Sequence, residues 1–212
     1  MKSPLLVLVL CSCLPLASAS AAVVTVTAAP AVPSQEPQWN SAEVFTSAIL
    51  NSTNFYRGQY NASRVGWNQT LAEFADDYLD KGGCKFEHSG GPYGENLAEG
   101  YPSATASVEA WGNEAGGYDF AEPGFSHDTG HFTQLVWKAT TAVGCGRRLC
   151  GQRGWYLVCE YWPRGNVVGE FGDEVDRRVS GAPRAGPRAA ALLSLCLAGA
   201  ASWAAMAMAM AM

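Results

Sequence analysis

Between residues 44 and 115 the apolar positions recur with the period of a helix. Val44, Phe45, Ala48, Ile49, Phe55 and Tyr56 mark a first helix. Leu71, Phe74, Ala75, Tyr78 and Leu79 fall at i, i+3, i+4, i+7 and i+8, which gives a second helix one apolar stripe. Gly82-Gly83 ends it, since glycine just past the last periodic residue is a helix stop. Ala104, Val108, Trp111 and Ala115 mark a third helix. Beyond it the period drops to two. Trp155, Leu157, Cys159 and Tyr161 alternate with Tyr156, Val158, Glu160 and Trp162, and this aromatic, β-branched run predicts a buried strand. Thr140–Leu149 is the expected partner strand, joined by a turn around Gly151–Gly154. Helices first and strands last predict an α+β domain with a small antiparallel sheet.

The two ends of the chain break this pattern. Lys2, an apolar run from Pro4 to Leu16 and the small residues Ala17-Ser18-Ala19 have the form of a secretory signal peptide over residues 1–19. The 13-residue run is shorter than the ~20 residues a membrane span requires. At the other end, the small triplet Ser180-Gly181-Ala182 precedes a Pro/Gly/Ala/Arg spacer and an uncharged tail over residues 189–212. That order is the signal for a glycosylphosphatidylinositol (GPI) anchor, with attachment expected at Ser180, a linker over 177–188 and removal of the tail. A retained membrane helix is the alternative, because 24 uncharged residues are long enough to span. Residues 20–37 are rich in Ala, Val, Thr, Pro and Ser and predict a flexible leader. The folded domain is thus expected over 38–176, and the protein is expected to be secreted and held at the cell surface or wall.

Composition then takes on a different meaning. The 212 residues carry a formal charge of −5 and seven cysteines. Trimming both ends removes Lys2, Arg184 and Arg188 but no acid, which leaves nineteen acids against eleven bases. A nucleic-acid binder would need a basic footprint, so that class is excluded. Cys84, Cys145, Cys150 and Cys159 remain, an even set that predicts two disulfides in a secreted chain, with three pairings open. Zinc is disfavoured because Cys145, Cys150 and Cys159 lack a paired C-x-x-C spacing. Asn51, Asn61 and Asn68 each begin an N-glycosylation sequon, and three within 20 residues predict a solvated face.

Four segments resemble a known family. Gly130-His131-Phe132-Thr133-Gln134-Leu135-Val136-Trp137 is similar to the first signature of the CAP superfamily, which holds cysteine-rich secretory proteins, antigen 5 and pathogenesis-related 1 proteins. The segment from Tyr156 to Val167 is similar to the second signature. Cys84-Lys85-Phe86-Glu87-His88-Ser89 and Tyr93-Gly94-Glu95-Asn96-Leu97-Ala98 match two further motifs in the family's order. The resemblance covers about Ser41 to Gly172 and is strongest to the fungal sterol-exporting branch, through Tyr118-Asp119-Phe120 and Pro123-Gly124-Phe125. It implies a three-layer αβα sandwich with a central cleft, and the pairings Cys84–Cys150 and Cys145–Cys159. Plant members often carry a third disulfide just before the signature histidine. Ser126-His127-Asp128-Thr129 has no cysteine there, so the loop is expected to move more freely.

The resemblance also places four polar residues in the cleft: His88 and His131 as metal ligands, with Glu95 and Glu114 as acids beside them. Two imidazoles without thiolates describe a weak, open site for a divalent cation such as zinc or magnesium, not a four-ligand structural one. A hydrogen-bonded network that only shapes the cleft is the competing reading. Catalysis is not expected: H-E-x-x-H and G-x-S-x-G are both absent, and paired cysteines leave no thiolate. His127 is read as a solvated loop residue. Tyr118, Phe120, Pro123 and Phe125 are the expected lipid-binding residues, because flat rings on a loop broken by Pro123-Gly124 can cover a flat sterol. A fatty acid between the first and third helices is a second lipid possibility. The expected function is sterol capture or export. The alternatives are an extracellular effector or defence module without a lipid role, and a cation-dependent protease. The sequence identifies no protein partner and no oligomeric state.

Overall fold

The computed structural model describes residues 36–181, so the expected signal peptide, nearly all of the leader and the C-terminal tail lie outside the described residues. The described part begins slightly earlier than expected, because Pro37 already opens a short helix, α1 (Pro37–Asn40). Ser41 caps α2 (Ala42–Gln59) through its side chain, which accepts from the Val44 N–H. Of the apolar positions that predict this helix, Phe45, Ile49 and Tyr56 are buried, whereas Val44 and Phe55 are exposed. Asn68 caps α3 (Gln69–Gly82), and Gly83, at φ 66°, takes the positive φ that ends it. α4 (Ala104–Asn113) runs into a 3₁₀ turn over Glu114–Gly117.

To the expected antiparallel pair the structure adds two strands. β3 (Ala142–Leu149) and β4 (Trp155–Trp162) form the centre, with Cys145 directly opposite Cys159. β2 (Gly94–Glu99) adds to β4 antiparallel, and β1 (Gly66–Trp67) adds to β3 in parallel, for the order β1-β3-β4-β2. The sheet is therefore antiparallel except at its shortest edge strand.

β4 shows why its sequence is almost continuously apolar. Tyr156 and Val158 pack with Ala75 and Leu79 of α3 on one face. Leu157, Cys159 and Tyr161 join Phe45, Ile49, Val108, Trp111 and Leu135 on the other. A strand covered on both faces loses the apolar–polar alternation of a half-exposed one. The layers are thus α3, the sheet, and a helical layer of α2, α4 and α5 (Gly130–Val136). α3 lies against β3 because Gly144 has no side chain: a Cβ there would sit 2.3 Å from the Ala72 nitrogen.

The disulfides are Cys84–Cys150, which holds the segment after α3 to the end of β3, and Cys145–Cys159 across the β3–β4 ladder. Chain order closes with α6 (Phe171–Glu174). Residues after it still pack on the domain: Val179 N–H donates to the Gln59 carbonyl, and the Arg177 guanidinium lies 5.5 Å above the Phe120 ring. Ser180, the expected anchor site, is exposed. No helix among the described residues is long and apolar enough to cross a membrane.

Candidate functional site

The cleft is built from two histidine–carboxylate pairs on different elements. Glu95 projects from edge strand β2, where it accepts the Ser89 N–H at 3.0 Å and lies 2.5 Å from Nδ1 of His88. Burial alone would push the Glu95 carboxyl up, but the hydrogen bonds with His88 and Ser89 outweigh it and hold the group below its usual range. The same contact raises His88, with desolvation opposing it.

The second pair sits at the start of α5. The first N–H groups of a helix have no partner within it. Glu114, at the end of α4, supplies one: its carboxylate accepts the N–H of His131 and of Phe132, each at 3.0 Å, and lies 2.6 Å from Nδ1 of His131. Asn96 on β2 donates to the His131 carbonyl, and Asn166 donates to that of Gly130, so both ends of this first turn are tied down. Gln134 accepts the Gly165 N–H. The two signature segments thus meet at one short helix, and Trp111 stacks on the His131 ring at 6.1 Å and 18°.

His88, Glu95 and His131 line an open cleft of about 360 Å³, together with Tyr93, Phe125, His127, Gln134 and Arg164. A second recess of about 380 Å³ lies behind His131 and Glu114, walled by Phe86, Leu97, Tyr101 and Trp111. In each pair the carboxylate fixes Nδ1 as the donor, which leaves Nε2 as the free lone pair. That is the orientation in which imidazoles ligate metals. The donor set therefore suits a divalent cation through two nitrogens, with Glu95 and Glu114 orienting the rings. Among the described residues no three ligating side chains stand within joint reach of one ion.

This arrangement of a short signature helix, an edge strand and two histidine–carboxylate pairs agrees with the sequence comparisons. A match to the cysteine-rich secretory protein family, CAP, covers residues 50–161. The chain belongs to this family. Similar relatives include Protein PRY2 of Saccharomyces cerevisiae, 48% identical over 135 residues, and Secreted protein RBT4 of Candida albicans, 41% identical over 135 residues. The matches cover 62% and 59% of this chain. The chain spans only 41% and 36% of those relatives' own lengths. The fold is that of the Schistosoma mansoni venom allergen-like protein 4, at 26% identity and TM-score 0.50 over 65% of this chain and 95% of that one. The matching relatives are fungal proteins of this kind and plant pathogenesis-related proteins.

The aromatic loop of this CAP domain is divided in two. Tyr118 is only 7% exposed and packs edge-on against Phe120 at 4.8 Å and Phe132 at 5.7 Å. Phe120 is partly buried and stacks on Tyr60 at 6.2 Å and 5°. Two of the three expected lipid-binding rings therefore rest in the core. Phe125 stands out, 51% exposed, and it lines the cleft. Pro123 is exposed beside it. The α2–α4 seam, where a fatty acid was expected, is in contact at Gly112: a Cβ there would be 2.2 Å from the Tyr56 ring.

The sequons differ in setting. Asn51 and Asn61 are exposed, and the Asn61 side-chain amide donates to Asp176 at 2.8 Å. Asn68 is partly buried and spends its carbonyl capping α3.

Sequence reasoning missed two buried ionisable positions. Glu160 is fully buried on β4 across the ladder from Glu95, and burial followed by the Glu95 charge pushes its carboxyl up to about 9. Its signal was visible as the one acid in an otherwise apolar strand. Arg57 is fully buried and donates to the carbonyls of Ser63, Leu135, Trp137 and Thr140, so it ties α2 to the end of α5.

Proposed function

We propose that this CAP protein acts outside the cell as a sterol-binding protein, captures its ligand with the Tyr118–Phe125 loop, and is held at the membrane by a GPI anchor at Ser180. The observation that carries the reading is the position of Phe125. Its ring is half exposed and lines the open cleft, five residues along the chain from Phe120, which belongs to a buried cluster with Tyr60, Tyr118 and Phe132. Outward movement of Asp119–Ser126 would lift Phe120 off Tyr60, Tyr118 and Phe132 and open an aromatic surface to a flat apolar ligand. At roughly 25 cal/mol per Å², burying sterol-sized apolar surface supplies several kcal/mol toward opening. His88 and His131 hold a divalent cation weakly in the cleft, with Glu95 and Glu114 setting their orientation. A tethered protein hands lipid over locally rather than carrying it away.

Binding of radiolabelled cholesterol or ergosterol to the purified protein tests the reading. Phe125→Ala is the informative variant, because its ring is half out of the fold, whereas Tyr118→Ala removes a buried ring and carries a folding cost as well. Micromolar binding lost in Phe125→Ala supports the proposal. Equal binding by wild type and Phe125→Ala, or none by wild type, rejects it.

A further inference from the structure

A chain past its last helix is ordinarily loose unless something ties it down. The segment after α6 is tied at several points. Val175 is buried in the core. The Asp176 carboxylate accepts the Asn61 side-chain amide at 2.8 Å through one oxygen, and its other oxygen lies 3.2 Å from Nζ of Lys138. The Val179 N–H donates to the Gln59 carbonyl at 2.8 Å. Gln59 is the last residue of α2, and Asn61 lies two residues beyond it. Between these ties sits Arg177. It is exposed, and no carboxylate pairs with it among the described residues. Its guanidinium lies instead over the Phe120 ring, 5.5 Å from the centroid. Phe120 thus stacks on Tyr60, meets Tyr118 and Phe132 edge-on, and carries Arg177 over its face. Tyr60 is the residue next to Gln59, so the ring and the tied segment rest on the same end of α2.

We propose that Val175–Val179 is a latch on the aromatic loop, in which Arg177 keeps Phe120 closed over Tyr60 until the contact between them breaks. The inference rests on the reading of this loop as the lipid site and names the segment that controls access to it. Outward movement of residues 119–126 takes Phe120 away from the guanidinium, so opening breaks a contact supplied from outside the loop. An exposed cation–π contact biases such an equilibrium about 2–5-fold toward the closed form. Apparent ligand affinity then falls with the fraction of molecules that are open. Ser180, the proposed anchor residue, follows Val179 directly, so the latch is the stretch of chain between the ligand loop and the tether.

Two readouts on the full chain, with its disulfides intact, test the latch. Amide hydrogen exchange over residues 118–126, followed by mass spectrometry, reports loop opening without any ligand. Arg177→Ala should raise that exchange about 2–5-fold, and Arg177→Lys, which keeps a cation for the ring, should restore most of the protection. Arg177 is exposed, so neither change disturbs the core. In the second readout, stopped-flow association of the fluorescent sterol dehydroergosterol should quicken by the same factor in Arg177→Ala. Exchange that is unchanged in Arg177→Ala, or raised equally by both substitutions, overturns the latch. Raised exchange with an unchanged association rate overturns its control of the ligand. No sterol binding by wild type rejects the lipid reading alone, and the exchange measurement still decides the latch.

Discussion

Glu160 offers a quantitative check on the interior of the domain. Its carboxyl is fully buried on β4, and burial together with the neighbouring Glu95 raises it from 4.5 to about 9. At neutral pH the folded protein therefore holds a proton that the unfolded chain has released. The sign follows from that difference. Below pH 4.5 both states are protonated and the group costs nothing; as pH rises toward 9 only the unfolded state ionises, so stability is lost throughout that window. At about 1.4 kcal/mol per unit, the loss by pH 7 is on the order of 3 kcal/mol. Glu160→Gln keeps the shape of the side chain but removes the titration. Urea unfolding with disulfides intact should show the variant about 3 kcal/mol more stable at pH 7 and equal to wild type near pH 4. A variant that is less stable at pH 7, or one whose advantage is the same at both pH values, refutes the reasoning.

Arg57→Met should cost at least about 3 kcal/mol in the same assay, since it orphans several buried carbonyls at 1–3 kcal/mol each; a variant as stable as wild type would show that the arginine is not what joins α2 to α5. Replacing Cys84 and Cys150 by Ala should destabilise by roughly 4 kcal/mol, and replacing Cys145 and Cys159 by roughly 3, because the loops they close span 66 and 14 residues. Chemical denaturation of the two double variants measures the difference, and a reversed order would contradict the chain-entropy account. The Phe125→Ala sterol assay completes the set.

The elements legible in the sequence are those whose periodicity is set by burial over many residues. α3 shows its stripe of Leu71, Ala75 and Leu79, and β4 shows its doubly buried run, at the positions where the structure has them. β2 and α5 were recognised as family motifs but not as a strand and a helix, for physical reasons. Gly94-Glu95-Asn96 has poor strand propensity, and β2 exists because it pairs along all six residues with β4. α5 is seven residues long and begins with glycine; a helix that short is marginal alone, and Glu114 and Asn166 hold it from outside. The parallel β1 is two residues long and leaves no periodic trace.

The site was legible to a different degree from the fold, because side-chain identity and side-chain position are separate facts. Family likeness implies that His88, Glu95, Glu114 and His131 share a cleft but not which acid meets which histidine; the structure pairs His88 with Glu95 and His131 with Glu114, and each acid also accepts a backbone N–H that fixes it. The aromatic loop was read as one unit from the spacing of Tyr118, Phe120 and Phe125, yet burial divides it. Phe132 and Tyr60 capture the first two rings, and both come from elements distant in sequence, which no local pattern reports. The sequence reading places His127 on a solvated loop. That inference is right about exposure and incomplete about place, since the cleft is itself solvent-filled. A polar residue on an open cleft and one on a plain surface have the same sequence signature, and only the fold shows that the third histidine shares a cavity with the other two.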